Sequence, residues 1–137
     1  MAAPDYEELY KQLTAAYNSR DVGKIMEFYS DDVKHTDYLT GHLNWTKPQV
    51  TEYIKYFFSQ INDIEFKTTR VIGSGEFVTW ELDMPFVPTE SIEALGFVKG
   101  EGSLIRGAAV MRWVDGKIVE EVDYFMVIDQ AKLVGGA

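Results

Sequence analysis

Phe77-Val78-Thr79-Trp80-Glu81-Leu82-Asp83-Met84 alternates apolar and polar residues, with Val78, Trp80, Leu82, Met84 and Phe86 in one row and Glu81 and Asp83 in the other. Successive side chains of a strand point to opposite faces, so residues two apart share a face. The stretch therefore reads as a β-strand whose apolar row belongs against a core. By periodicity alone, Glu81 and Asp83 take the solvated side. A second alternation of ionisable groups lies in Val33-Lys34-His35-Thr36-Asp37-Tyr38-Leu39, where His35 shares a face with Asp37. Two such pairs on strands that curl around a pocket would be acid/base equipment.

Outward from this stretch, Ile64 to Ile72, Ser103 to Val114 and Lys117 to Ile128 also read as strands. Gly73-Ser74-Gly75-Glu76 and Asp115-Gly116 are tight turns, the latter because Asp-Gly supplies the positive backbone angles of a two-residue hairpin turn. Pro88 to Gly102 is a longer loop rich in Glu and Gly. Upstream, Tyr6, Leu9, Tyr10, Leu13, Ala16 and Tyr17 recur at helical spacing and predict a helix over 5–18, with Pro4 or Asp5 at its start. Asp21 is placed to cap a short second helix through Val22, Ile25, Met26 and Tyr29, ending around Ser30-Asp31-Asp32. Thr40 to Trp45 reads as a loop that holds His42. Thr46 then caps a third helix with Pro48 in its first turn and Val50, Tyr53, Ile54, Phe57, Phe58 and Ile61 on its apolar side. Three helices, a short early strand and four long strands predict one α+β domain over residues 1–137. In it the helices cover a curved antiparallel sheet whose concave side makes a pocket.

Composition bounds the function. A formal net charge of −9 opposes binding to phosphate backbones, so no nucleic-acid partner is expected. No apolar run approaches membrane-spanning length, and Met1-Ala2-Ala3-Pro4-Asp5 is not followed by a basic region and an apolar run. With no cysteine to form disulfides, the cytoplasm is the default location. Aromatic residues make up 14% of the chain, enough to wall an enclosed apolar cavity, fill a core or build a dimer interface.

The order of elements, with Ala15-Ala16-Tyr17-Asn18-Ser19-Arg20-Asp21, Phe28-Tyr29-Ser30-Asp31-Asp32-Val33, Asp115-Gly116-Lys117-Ile118 and Asp123-Tyr124-Phe125, resembles the SnoaL-like branch of the nuclear-transport-factor-2-like (NTF2-like) superfamily over nearly the whole chain. The resemblance implies a cone-shaped α+β fold with a cavity. That superfamily holds ketosteroid isomerase, polyketide cyclases, scytalone dehydratase, limonene epoxide hydrolase and non-catalytic association domains, so function has to come from the pocket. Compared by position with limonene epoxide hydrolase, its first-strand water-binding pair falls on His35 and Asp37, its Arg on Glu81, and its two Asp residues on Asp83 and Met126. Two of the three residues in that Asp-Arg-Asp arrangement are changed, which argues against epoxide opening by the same mechanism. The resemblance nonetheless turns Glu81 and Asp83 inward, against the plain periodicity. It sends the apolar row from Val78 to Phe86 to an outer face covered by a second subunit, in a homodimer.

An enclosed carboxylate is harder to ionise and becomes an acid or base poised near neutrality. Asp83 is thus expected as the main acid/base, with His35 and Asp37 as partner or water-positioning groups and Glu81 sharing a proton. Tyr17, Tyr29, Tyr38, Tyr53 and Tyr124 are candidate hydroxyl donors, Tyr124 and Tyr38 foremost. The resemblance adds Trp45 and Phe57 as cavity walls and Met126 as a substrate contact. Two histidines seven apart, one in a loop, make a poor metal site, and His35-Thr36-Asp37 lacks a third ligand at recognisable spacing. Gly96, Gly100 and Gly102 do not form a phosphate loop. No metal and no nucleotide cofactor are expected. These readings point to a cofactor-independent isomerase or cyclase acting on a small hydrophobic polycyclic, polyketide or terpenoid-like metabolite. The alternatives are a dehydratase or epoxide hydrolase variant, and a non-catalytic ligand-binding or dimerisation module.

Overall fold

Helical and strand periodicities meet in one core in the computed structural model, which describes residues 5–61 and 63–128. The elements run α1 (Tyr6–Ser19), α2 (Val22–Met26), β1 (Tyr29–Asp37), β2 (His42–Trp45), α3 (Lys47–Gln60), β3 (Lys67–Ser74), β4 (Phe77–Phe86), β5 (Ser103–Val114) and β6 (Lys117–Ile128), with one 3-10 turn at Glu93–Leu95. Asp5 caps α1 by accepting from the Glu8 N–H; Pro4, the other expected start, lies outside the described residues. Gln49 Oε1 accepts from the Thr46 N–H at 2.9 Å and closes the start of α3.

The Asn18-Ser19-Arg20-Asp21 motif is a joint. Asn18 exchanges two hydrogen bonds with the Phe66 backbone, at 3.0 and 2.7 Å, and Arg20 reaches the Ile64 carbonyl at 2.8 Å. Asp21 caps α2 through the Lys24 N–H. These contacts tie the end of α1 to the lead-in of β3, which begins at Lys67 and not at Ile64.

The sheet has the order β2-β1-β6-β5-β4-β3. It is mixed and not wholly antiparallel, because β1 pairs with β6 in parallel. Two other expectations change. Tyr29 opens β1 instead of closing α2, and its side chain is buried. The expected loop over 40–45 is mostly strand. Asp37 Oδ1 accepts from the Leu39 and Thr40 N–H groups at 2.8 and 3.2 Å, and Gly41 takes φ +83°. That turn sends β2 back along β1.

The apolar row of β4 lies in the core: Val78, Trp80, Leu82, Met84 and Phe86 are all buried. Tyr10 of α1 packs edge-on against Trp80 and Trp113, and its hydroxyl accepts from the Trp113 indole N–H at 2.9 Å. Burial of a large apolar side chain of this kind contributes about 2 kcal/mol. Gly107 of β5 pairs with Phe125 of β6 at close backbone approach: a Cβ there would lie 2.1 Å from the Tyr124 carbonyl oxygen. The sheet curves around a space closed on the other side by α1 and α3.

Candidate active site

The parallel register of β1 and β6 builds the site, because it sets His35 beside Glu121 and Asp37 beside Asp123. All four side chains are buried, though each is ionisable. His35 Nε2 lies 2.9 Å from Glu121 Oε2 and 3.4 Å from Asp123 Oδ2. Glu121 Oε1 accepts from the Tyr29 hydroxyl at 2.7 Å, and that hydroxyl is 2.6 Å from the Tyr17 hydroxyl. On its other side, His35 Nδ1 lies 2.8 Å from His42 Nε2, and His42 Nδ1 lies 2.9 Å from Thr40 Oγ1. The His42 ring is stacked on Trp45 at 3.9 Å and meets the edge of Tyr53.

These surroundings sort the protons. Burial drives the Asp123 carboxyl well above its ordinary range, and the charges of Glu121 and Asp37 push the same way, so Asp123 holds its proton. Burial would also raise Glu121, but the His35 charge and the hydrogen bonds from His35, Asp123 and Tyr29 outweigh it and keep Glu121 ionised. Burial lowers His35, while the Glu121 charge, its hydrogen bond and Asp37 more than reverse that, so the imidazole holds a proton above its usual range. His42 is held down to about 4, by burial first and then by the charge on His35. Asp37 is raised by burial, partly offset by the two N–H groups it accepts. One side chain atom stands apart: Asp123 Oδ1 is buried with no hydrogen-bond partner among the described residues.

The four groups line one end of a cavity with an empty volume of about 670 Å³ including its mouth. Phe57, Phe58, Phe66, Trp80 and Met84 are among the residues that make its apolar wall, and Tyr17 and Tyr53 add hydroxyls. An apolar wall with a few convergent polar groups is the usual make-up of a small-molecule site.

His35, Glu121 and Asp123 also bring one donor atom each to within 4.8 Å of the others. The third group missing beside His35-Thr36-Asp37 thus comes from β6, by pairing and not by local spacing. The same three groups are also placed to share protons: His35 Nε2 faces Glu121 at hydrogen-bonding distance, and burial and the Glu121 charge favour the protonated form of Asp123. We read it as a proton-sharing group.

The sequence-derived candidates divide. His35 and Asp37 face the cavity, and Phe57 lines it. Trp45 stacks on His42 behind His35 and does not line the cavity. Glu81 and Asp83 lie on the outer face, contrary to the inward placement: Glu81 pairs with Arg70 at 2.9 Å, and Asp83 takes two bonds from Arg106 at 2.7 and 3.0 Å. The strand alternation requires this, since Trp80 and Leu82 take the cavity side. The Arg106 hydrogen bond holds the Asp83 carboxyl below its ordinary range, the reverse of the raised acid expected there. Tyr38, Tyr124 and Met126 are exposed, and the two tyrosine rings meet at 5.3 Å on the outside. Their neighbours Asp123 and Phe125 face in. Glu121, Asp123 and His42 were missed as site residues. The available signal was Glu121 and Asp123 two apart in a strand that also carries Ile118, the same alternation that singled out His35 and Asp37.

The comparisons bear on the family and the fold. Over 116 residues, 83% of this chain and 81% of the relative, the sequence is 25% identical to the cyclase aurE of Calcarisporium arbuscula. A SnoaL-like polyketide cyclase from Agrobacterium tumefaciens superposes with a TM-score of 0.75, covering 95% of each chain at 14% identity. An NTF2-like protein of unknown function from Burkholderia pseudomallei superposes with a TM-score of 0.73, covering 96% of each chain at 17% identity. At these identities the two structures speak to the fold alone. The family description "SnoaL-like domain" matches residues 10–121, from the core tyrosine of α1 to the buried glutamate of β6, and the chain belongs to that family.

Proposed function

We propose that the protein is a cyclase- or isomerase-type enzyme that moves protons on a small, uncharged, oxygenated ring system or ring-forming chain. The observation that carries this reading is the proton-holding Asp123, its Oδ1 without a partner among the described residues, beside the His35–Glu121 pair in the lining of an aromatic cavity. Asp123 would give its proton to a substrate carbonyl oxygen while Asp37 takes a proton from the adjacent carbon, leaving an enol. The carboxylate formed on Asp123 is then stabilised by the His35 imidazolium 3.4 Å away. The enol either attacks an electrophilic carbon of the same molecule, which closes a ring, or takes a proton back at a different carbon, which isomerises it. Buried negative charge on Glu121 and Asp37 disfavours anionic substrates. The similarity to a cyclase supports the ring-closing version.

The homodimer belongs to the same proposal, with a changed surface. The apolar row of β4 is core, so a second copy would meet the outer face at Tyr38, Tyr124 and Met126.

Deuterium uptake at the α-carbon of β-tetralone, a planar hydrophobic ketone, tests the acid/base reading directly. We expect wild-type protein to catalyse it and Asp123→Asn to lower the rate by about 100-fold or more with the fold intact. Undiminished exchange in Asp123→Asn would overturn the assignment, and ketone binding without exchange in the wild type would favour a ligand-binding module.

A further inference from the structure

We infer that His42 and Thr40 form a proton relay connecting the buried acid cluster to solvent through the β1–β2 hairpin instead of through the cavity. The inference rests on the acid/base reading of the pocket. Three contacts in series define the path: Glu121 Oε2 to His35 Nε2 at 2.9 Å, His35 Nδ1 to His42 Nε2 at 2.8 Å, and His42 Nδ1 to Thr40 Oγ1 at 2.9 Å. Its inner end lines the cavity. Its outer end, Thr40, is exposed, and neither Thr40 nor His42 lines the cavity. Every ring nitrogen on the path has a partner, so each imidazole can take a proton on one side and release one on the other without turning.

The proton count closes. With His35 doubly protonated, its Nδ1–H donates to His42 Nε2, and the His42 Nδ1–H donates to Thr40 Oγ1. Discharge breaks three bonds and forms three. The Thr40 hydroxyl proton passes to water, the His42 Nδ1 proton to Thr40, and the His35 Nδ1 proton to His42 Nε2. His35 is left neutral with its Nε2–H on Glu121, and one proton has entered solvent. Recharging runs the same steps backward. A cycle that takes a proton and later returns it therefore resets the relay with no ring flip.

Two features suit His42 to conduction. First, it is a poor place for charge to rest: burial and the neighbouring His35 favour its neutral form. The groups facing it are His35 from β1, Trp45 from β2 and Tyr53 from α3, with no carboxylate in contact, whereas His35 meets Glu121 and Asp123 from β6 and has Asp37 on its own strand. The proton thus settles on His35 and only crosses His42. Second, the ring is held in plane by Trp45 at 3.9 Å and an 11° tilt, which preserves both hydrogen-bond directions.

The test needs no substrate. In full-length protein labelled with nitrogen-15 histidine, the exchange of the His35 ring protons with water is measured near neutral pH. Thr40→Val, which keeps the volume and removes the hydroxyl, should slow that exchange by on the order of tenfold or more, and Thr40→Ser should restore it. His42→Phe keeps an aromatic ring against Trp45 and should slow it as much. Unchanged exchange in both Thr40→Val and His42→Phe would overturn the relay and assign the traffic to the cavity. Because exchange is read without turnover, a failure here is distinct from a failure of the Asp123 assignment, which the ketone assay reads.

Discussion

Asp83 and Asp123 are both aspartates in long strands of the same sheet, and their surroundings drive them in opposite directions. Asp83 lies on the outer face with the Arg106 guanidinium across the strand pair, which favours the carboxylate. Asp123 is buried between two other carboxyl groups, which favours the acid. Accordingly, Asp83→Asn should leave ketone exchange at wild-type rate and shift the melting temperature by no more than about 5 °C, since exposed ion pairs contribute little. A large loss of exchange in Asp83→Asn would return the acid role to the outer face. The alternation in Phe77–Met84 already put Asp83 outside. Position-by-position likeness to a distant enzyme turned it inward, because such likeness does not fix pleat parity even where the residue type matches. A shift of one residue in a strand reverses every side chain.

Among the elements, β6 decides most. Its parallel pairing with β1 brings His35 and Glu121, 86 residues apart, into contact. No local pattern announces that pairing. The hairpin from β1 to β2 was more legible than it was read: Asp37 and Gly41 flank a turn, and the side-chain oxygen of Asp37 holds it through two backbone N–H groups. That turn brings His42 next to His35. On β5, Gly107 is required by its closeness to the β6 backbone, so Gly107→Ala should destabilise the protein by about 2 kcal/mol or more. Chemical denaturation would measure it, and an unchanged midpoint would show that the strands can part at this point without cost. The helices were easier to read, because their 3.6-residue apolar period is a local property.

For the whole molecule, the buried site makes stability depend on pH from both sides. His42 is held neutral down to about 4, against an ordinary value of 6.5, so below 6.5 the unfolded chain takes up a proton that the folded one refuses, and stability falls. Further acid protonates Glu121, whose folded value is lowered, and removes the stability that its ionised form contributes above the usual carboxylate range. In the other direction, His35 has a raised folded value. Its contribution is full below 6.5 and is lost as pH rises through that folded value. Raised Asp123 works in the same sense, losing its contribution as pH rises. Asp123 loses its contribution from its ordinary 3.8 upward, so it opposes His42 between about 4 and 6.5. The His42 share is read by difference: the thermal midpoint of the wild type should fall relative to that of His42→Gln as pH drops from 6.5 toward 4. A difference between the two proteins that stays constant from 6.5 to 4 would show that His42 is not held neutral. The amino-acid sequence by itself determined the three helices, the strands other than β2, the Asp115-Gly116 turn and the family-like order of elements, since each depends on residues close together along the chain. It also determined that His35 and Asp37 share a face. Only the tertiary structure decided which carboxylates join them, because that depends on the parallel register between β1 and β6 and on which face of each strand the core covers. Burial is what favours the proton on Asp123, and the Glu121 carboxylate is what favours the charge on His35 against burial.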